Sequence, residues 1–187
     1  MENRIHIFGP SGVGATTLGG ALANRLDIIH LDSDDFYWEE SEIPYTRERK
    51  PAERAEILGS EMRKYQNWVS SGSLCGWGDF AIPLFTLAVF LWIPEDVRLI
   101  RLEKREIDRY GTDAVLPGGW FYQNSQDFLA YASKYDKGGL DIRSRALHEK
   151  WMEKLPCRLL RMEEEYPSAE LVSLVLDEQK HRENSTR

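Results

Sequence analysis

The sequence predicts an α/β fold built on a mostly parallel sheet, and three observations carry that expectation. Short apolar runs alternate with helical stretches along the chain, the pattern that yields parallel strands joined by right-handed crossovers. The run LAVFLWI, residues 87 to 93, is almost wholly apolar, as a strand covered by helices on both faces must be. A glycine-rich stretch, GPSGVGATT at residues 9 to 17, joins the first such run to the first helix. With 187 residues, 42% of them hydrophobic, the chain supports one sizeable core rather than two.

Taken in order, RIHIF (4 to 8) is a β-branched strand ending at Gly9, and TLGGALANRL (17 to 26) is a helix rich in Ala and Leu. DIIHL reads as the second strand and runs into DSDD. Pro51 suits the first turn of a helix extending to about Trp68, with mixed charge on its exposed face. WVSSGSL is the third strand, broken at Gly72, and 87 to 93 is the fourth. Pro94 then opens the charged helix EDVRLIRLEKREIDRY, which Gly111 stops. LPGGWFY is a loop, two helices cover 123 to 154, CRLLRM is the last strand, and SAELVSLVLDE is the last helix. The polar tail from 179 to 187 reads as frayed.

Charge and composition exclude several classes. A net charge of −7 and a pI near 5.2 give no general attraction to a nucleic-acid polymer or an anionic membrane, so any anion site is local. No apolar run approaches the roughly 20 residues of a membrane span, and the first strand follows the N-terminus without the regions of a signal peptide. A cytoplasmic location is the expectation. Cys75 and Cys157 fit reduced, buried thiols in or at the ends of core strands. The four histidines lack metal-ligand spacing, and His6 and His30 are expected to pack within strands.

GPSGVGATT fits the phosphate-binding pattern G-x-x-x-x-G-K-[ST] at every specified position but one: Ala15 stands where the pattern has Lys. The chemistry of such a loop is mostly backbone. Gly9, Gly12 and Gly14 let the amides of residues 11 to 16, from Ser11 through Val13 to Thr16, turn inward around a phosphate at the positive end of the helix. Thr16 holds the position whose hydroxyl meets Mg²⁺, and Thr17 follows it. Ala15 removes the point charge that reaches the outer phosphates. Left uncompensated, that is a loss on the order of 10²–10³ in turnover. A bare strand-to-helix turn accounts for the same glycines.

HLDSDDFYW places Asp32, Asp34 and Asp35 directly after the second strand. Two apart on an extended chain, Asp32 and Asp34 point the same way, so one can serve a metal's water shell while the other accepts a proton from a substrate hydroxyl. Helix caps and turns use Asp as readily. Phe36, Tyr37 and Trp38 fit a substrate pocket or an aromatic core equally well.

Arg98, Arg101, Arg105 and Arg109 recur at i, i+3, i+7 and i+11 and fall along one helix face. One or two of Arg101, Arg105 and Arg109 are expected to grip a transferred phosphoryl group, although a solvated mixed-charge helix explains the same residues. Arg143 and Arg145 open a later helix, where cations are disfavoured without an anion partner. Arg47 and Arg54 in PYTRERKPAER, and Gly72, Ser73, Trp77 and Asp79 in SSGSLCGWGD, are the candidates for an acceptor. Lys134 and Lys137 are further cations near the loop DKGG.

The order of these parts resembles the P-loop kinases of small molecules, the nucleoside monophosphate kinase and shikimate or gluconate kinase group, over roughly residues 3 to 175. It looks closest to adenylate-kinase-like bacterial proteins whose glycine loop also lacks the Lys. The resemblance implies a three-layer P-loop NTPase fold with a five-stranded parallel sheet of order 2-3-1-4-5 in a single domain, 1 to 178. It also implies an acceptor-binding segment at about 36 to 66 and a helical lid at about 108 to 140. Asp32 and Asp34 match the D-x-D that in the shikimate kinase type serves metal and acceptor hydroxyl, and Gly72 and Ser73 match the glycine region that touches the acceptor. The expected activity is phosphoryl transfer from ATP, with Mg²⁺, to a small nucleotide-like or hydroxylated molecule. A nucleotide-binding module that no longer transfers phosphate is the alternative, and Ala15 favours it.

Overall fold

The computed structural model describes residues 2–185. Five parallel strands, β1 (Arg4–Phe8), β2 (Ile29–Asp32), β3 (Trp68–Ser71), β4 (Leu87–Leu91) and β5 (Arg158–Met162), lie in the order β2-β3-β1-β4-β5. Eight helices accompany them: α1 (Ala15–Leu26), α2 (Ser33–Tyr37), α3 (Pro51–Lys64), α4 (Glu95–Tyr110), α5 (Thr112–Val115), α6 (Tyr122–Ala132), α7 (Arg145–Met152) and α8 (Ser168–Ser185). This is the sheet that the resemblance implies. No helix among the described residues is long and apolar enough to cross a membrane.

The two-residue period of β1 divides the core. Ile5 and Ile7 point to one face, where they pack with Leu18, Leu22, Val89 and Val175, while Phe8 points to the other, with Leu58, Phe90 and Trp151. His6 shares the Phe8 face, sandwiched between the rings of Phe8 and Phe85 at 5.2 and 4.7 Å, and its Nδ1 meets the Ser70 hydroxyl at 2.9 Å. Because β1 lies between β3 and β4 and the crossovers leave it in opposite directions, its carboxyl end opens onto the crevice where such sheets take ligands. Gly9 begins there.

Several expectations need correction. The helix from Pro51 ends at Lys64, because Tyr65 adopts an extended backbone and Trp68 is already the first residue of β3. The final helix continues through the expected tail to Ser185, and residues 186 and 187 lie outside the described residues. Cys75 and Cys157 are not joined by a disulfide and are half-buried rather than buried, Cys75 in the turn after β3 and Cys157 directly before β5. The short helices α2 and α5 and a 3₁₀ turn at Asp79–Leu84 carry too few residues for a periodic signal.

Candidate functional site

The glycine loop leads from β1 into α1. Gly14 caps that helix in a left-handed conformation, φ 98°, without a side-chain cap and without an acid in the first turn. Thr16 and Thr17 stand exposed in that turn. The orphan amides of a helix start together with the positive end of its dipole therefore face open space, the arrangement that receives an anion. Gly12 packs tightly below: a Cβ there would lie 2.7 Å from the Arg98 carbonyl oxygen. That contact seats the loop on the first turn of α4.

A cation reaches the loop from far along the chain. Arg143 donates from Nη2 to the Ser11 hydroxyl at 3.0 Å, and its guanidinium lies 5.8 Å from the centre of the Tyr131 ring on α6. The backbone beside it is fixed by Ser144, whose buried hydroxyl donates to the Gly139 carbonyl at 2.6 Å and accepts from the Leu147 amide at 3.0 Å, capping α7. Arg143, just before the Ser144 cap of α7, thus turns its guanidinium to the glycine loop.

The acids are arranged differently from the extended pair expected. The strand ends at Asp32, and Asp32 caps α2 by accepting the Asp34 amide on Oδ1 at 3.1 Å. Asp34 therefore sits in the first turn of a helix, its direction set by the cap and not by strand alternation. Solvent reaches Asp34 from one side, yet protein surrounds it on the others. That burial holds its carboxyl above the ordinary carboxylate range, and the charge of Asp32 adds to the effect, while Arg143, Arg105 and Arg109 oppose it. The charges of three guanidinium groups thus act on one carboxylate, and one of the three, Arg143, also contacts Ser11 of the glycine loop. Asp35 is raised for the same first two reasons, burial and then Asp32.

The remaining candidates divide. On α4, Arg105 lies 5.3 Å from the Phe128 ring centre of α6, and Arg109 lies 5.5 Å from that of Tyr45, in the segment between α2 and α3. Arg98 of the same row is fully buried, bonded to Asp136 and, through Nε, to the Ile93 carbonyl at 3.0 Å. Arg101 does not join the Asp34 group: it pairs with Glu165 beyond β5 at 3.1 Å, because i+3 steps drift around the helix. Arg145 is likewise turned away, to Glu163 at 2.6 Å and over the Trp92 ring at 4.9 Å. Arg47 is exposed and pairs with Glu39. Asp79 accepts from Trp151 Nε1 and from Lys154, each at 2.8 Å, so both its carboxylate oxygens are engaged by α7 and the turn after it.

Arg54 sits among aromatic rings. It is buried, lies flat on Tyr37 at 3.7 Å with Trp77 at 5.7 Å, pairs with Glu48 at 3.5 Å, and its Nε has no partner. Gly72, φ 96°, turns the chain after β3, where a Cβ would stand 1.9 Å from the Ser33 hydroxyl. Ser73, next to it, meets His148 Nε2 at 3.0 Å. Sequence reasoning passed over His148 and Tyr135, since neither lies in a motif. The available signal was the spacing of Ser144, His148 and Trp151 on one face of α7, all buried.

A glycine loop at the central strand of a 2-3-1-4-5 parallel sheet, beside an acidic strand end and under arginine-bearing helices, defines a P-loop NTPase fold of the small-molecule kinase type. Shikimate kinase from Acinetobacter baumannii in complex with shikimate superposes with a TM-score of 0.57 and 18% identity, covering 97% of this chain and 95% of that one. Shikimate kinase from Bacteroides thetaiotaomicron superposes with a TM-score of 0.54 and 19% identity, covering 96% and 99%. No protein-family model matches the chain. It is 48% identical over 177 residues to the uncharacterized protein YqaC of Bacillus subtilis strain 168, spanning 95% of this chain and 97% of that protein. The chain belongs to the family of YqaC.

Proposed function

We propose that this chain is an ATP- and Mg²⁺-dependent phosphotransferase for a small hydroxylated acceptor, in which Arg143 supplies the cation that Ala15 withholds from the loop. The contact between Arg143 and Ser11 carries the reading, because it puts a planar, permanently charged donor at the loop that lacks its Lys. The loop amides from Ser11 to Thr16 hold the inner phosphates. Arg143, with Arg105 and Arg109 drawn in from α4, neutralises charge on the transferred group. Asp34 orients the acceptor hydroxyl and takes its proton, a role suited to a carboxyl raised by its surroundings. Arg54, Gly72, Ser73 and Trp77 border the acceptor.

The residues present fit a divalent ion bound together with phosphate. Mg²⁺ is usually held by one or two protein oxygens plus phosphate and water rather than by a cage, and among the described residues no cluster of three His, Cys, Asp or Glu forms one. The Thr16 hydroxyl and the Asp32 carboxylate would hold it, and it would offset phosphate charge. Catalysis is then positioning and electrostatics, with little covalent work for the protein.

Calorimetric titration with ATP, with and without Mg²⁺, tests the reading on wild type, Thr16→Ala and Arg143→Gln. Mg²⁺-dependent binding in wild type is expected, weakened in Thr16→Ala and weakened roughly 10- to 100-fold in Arg143→Gln, the worth of a charge-assisted contact. Adenosine, which has no phosphate, is the control whose binding Arg143→Gln should leave alone. Tight ATP binding without transfer to any hydroxylated acceptor would instead favour the nucleotide-binding module that Ala15 suggests. No ATP binding at all sinks both.

A further inference from the structure

Beneath the loop, α7 is tied to three parts of the cleft. Arg143 at its entrance reaches Ser11 of the glycine loop, and Trp151 at its far end holds Asp79. Between them, fully buried His148 joins two groups that are remote in sequence: Nε2 meets the Ser73 hydroxyl at 3.0 Å, and Nδ1 meets the Tyr135 hydroxyl at 2.7 Å. Ser73 belongs to the turn after β3 on the acceptor side. Tyr135, itself buried, lies at the foot of the lid, three residues beyond α6 and directly before Asp136, which binds Arg98 and Trp92.

The ring is neutral, since burial drives its pKa down to about 3, so one ring nitrogen donates and the other accepts. Whichever nitrogen carries the proton, the two bonds run in one sense: if Nε2 donates to Ser73, Nδ1 accepts from the Tyr135 hydroxyl, and if Nδ1 donates, Nε2 accepts from Ser73. Tyr135, His148 and Ser73 therefore form a buried hydrogen-bonded chain in which each ring nitrogen has a hydroxyl partner, so displacing either end disturbs the other.

The geometry points to His148 as a positioning residue that couples the lid foot at Tyr135 to the acceptor turn at Ser73, so that both follow α7 and Arg143. The role rests on the phosphotransferase reading of the cleft, whereas the coupling itself can be measured without nucleotide. His148→Ala opens a void in the core and risks unfolding, so the test uses Tyr135→Phe and Ser73→Ala, each of which removes one oxygen. Amide hydrogen exchange is followed in the full chain. Tyr135→Phe is expected to speed exchange about tenfold in residues 73 to 78, and Ser73→Ala to do so in residues 132 to 138, as loss of one buried bond implies. Reciprocity is the signature, because coupling free energy acts equally in both directions. If each substitution loosens only its own segment, both side chains are merely local packing and the inference is overturned. Failure of wild-type protein to bind ATP would overturn the phosphotransferase reading alone and leave these exchange results readable.

Discussion

The Asp34 amide donates to the Asp32 carboxylate at 3.1 Å, and the charge of Asp32 is in turn one of the two influences that raise the Asp34 carboxyl. The helix cap therefore fixes the position of Asp34 and tunes it as well. An acid whose folded pKa lies above its ordinary value, 3.8 here, contributes stability that is fully present below that value and lost as pH rises through the folded one. Ionised Asp34 thus opposes folding at neutral pH. Asp34→Asn is expected to raise the melting temperature at pH 7, to lose that gain as pH falls toward 4, and to abolish transfer. A lower melting temperature at pH 7 would show that the three arginines outweigh burial.

Two histidines give the opposite dependence. Burial, the larger cause, lowers both His6 and His148 to about 3; His148 adds to the effect in His6, and Arg143 adds to it in His148. Both sit in full cover with hydrogen-bonding hydroxyls rather than acids as partners. Between pH 6.5 and about 3 the unfolded chain binds protons that the folded one refuses, so stability falls as pH falls through that window. At pH 5 each histidine is expected to cost about 2 kcal/mol relative to pH 7.5. Urea unfolding at the two values, with His6→Gln and His148→Gln, measures the cost. A midpoint that stays constant from pH 7.5 to 5 would exclude this origin.

The sheet was legible because its signals are local and strong. β1 and β4 are short apolar or β-branched runs beside helical stretches, while the strand order came from the resemblance carried by the glycine loop and the acidic strand end. The side-chain partners were not legible. Arg101 and Arg105 are equally plausible on a helical wheel, and only the position of Glu165 beyond β5 against that of Phe128 on α6 separates them. Asp79 looked like a ligand acid because its partners, Trp151 and Lys154, lie more than seventy residues away. Arg143 was found for a reason that is physical and local, a cation at a helix start, but its target, Ser11, is fixed by tertiary structure alone.

Gly72 offers a direct test of how the turn after β3 is packed. Its backbone is left-handed and a Cβ would meet the Ser33 hydroxyl at 1.9 Å and the Ser33 Cβ at 3.0 Å. Gly72→Ala combines backbone strain with a steric clash and is expected to destabilise the fold by about 2–4 kcal/mol. Adding Ser33→Ala removes the hydroxyl and should recover part of that loss, with the φ penalty remaining. Chemical denaturation of both singles and the double measures the coupling. Additive losses would mean that Ser33 moves aside and that the turn is less rigid than its packing implies.

The residue at position 15 decides how the loop manages its missing charge. Ala15 is the first residue of α1, half-buried, in the turn whose amides face open space. A Lys there would extend toward the phosphates that Arg143, held at Ser11, meets in the proposed reading. If the two cations serve one purpose, they substitute for each other: Ala15→Lys should restore most of the ATP affinity lost in Arg143→Gln. In the wild-type background, the same Lys should add little, because a second cation beside Arg143 is repelled as well as attracted. Four titrations complete the cycle, and a strongly non-additive result is the expected outcome. If Ala15→Lys strengthens binding equally with and without Arg143, the two cations act independently. Arg143 would then be holding Ser11 in place and not standing in for the Lys.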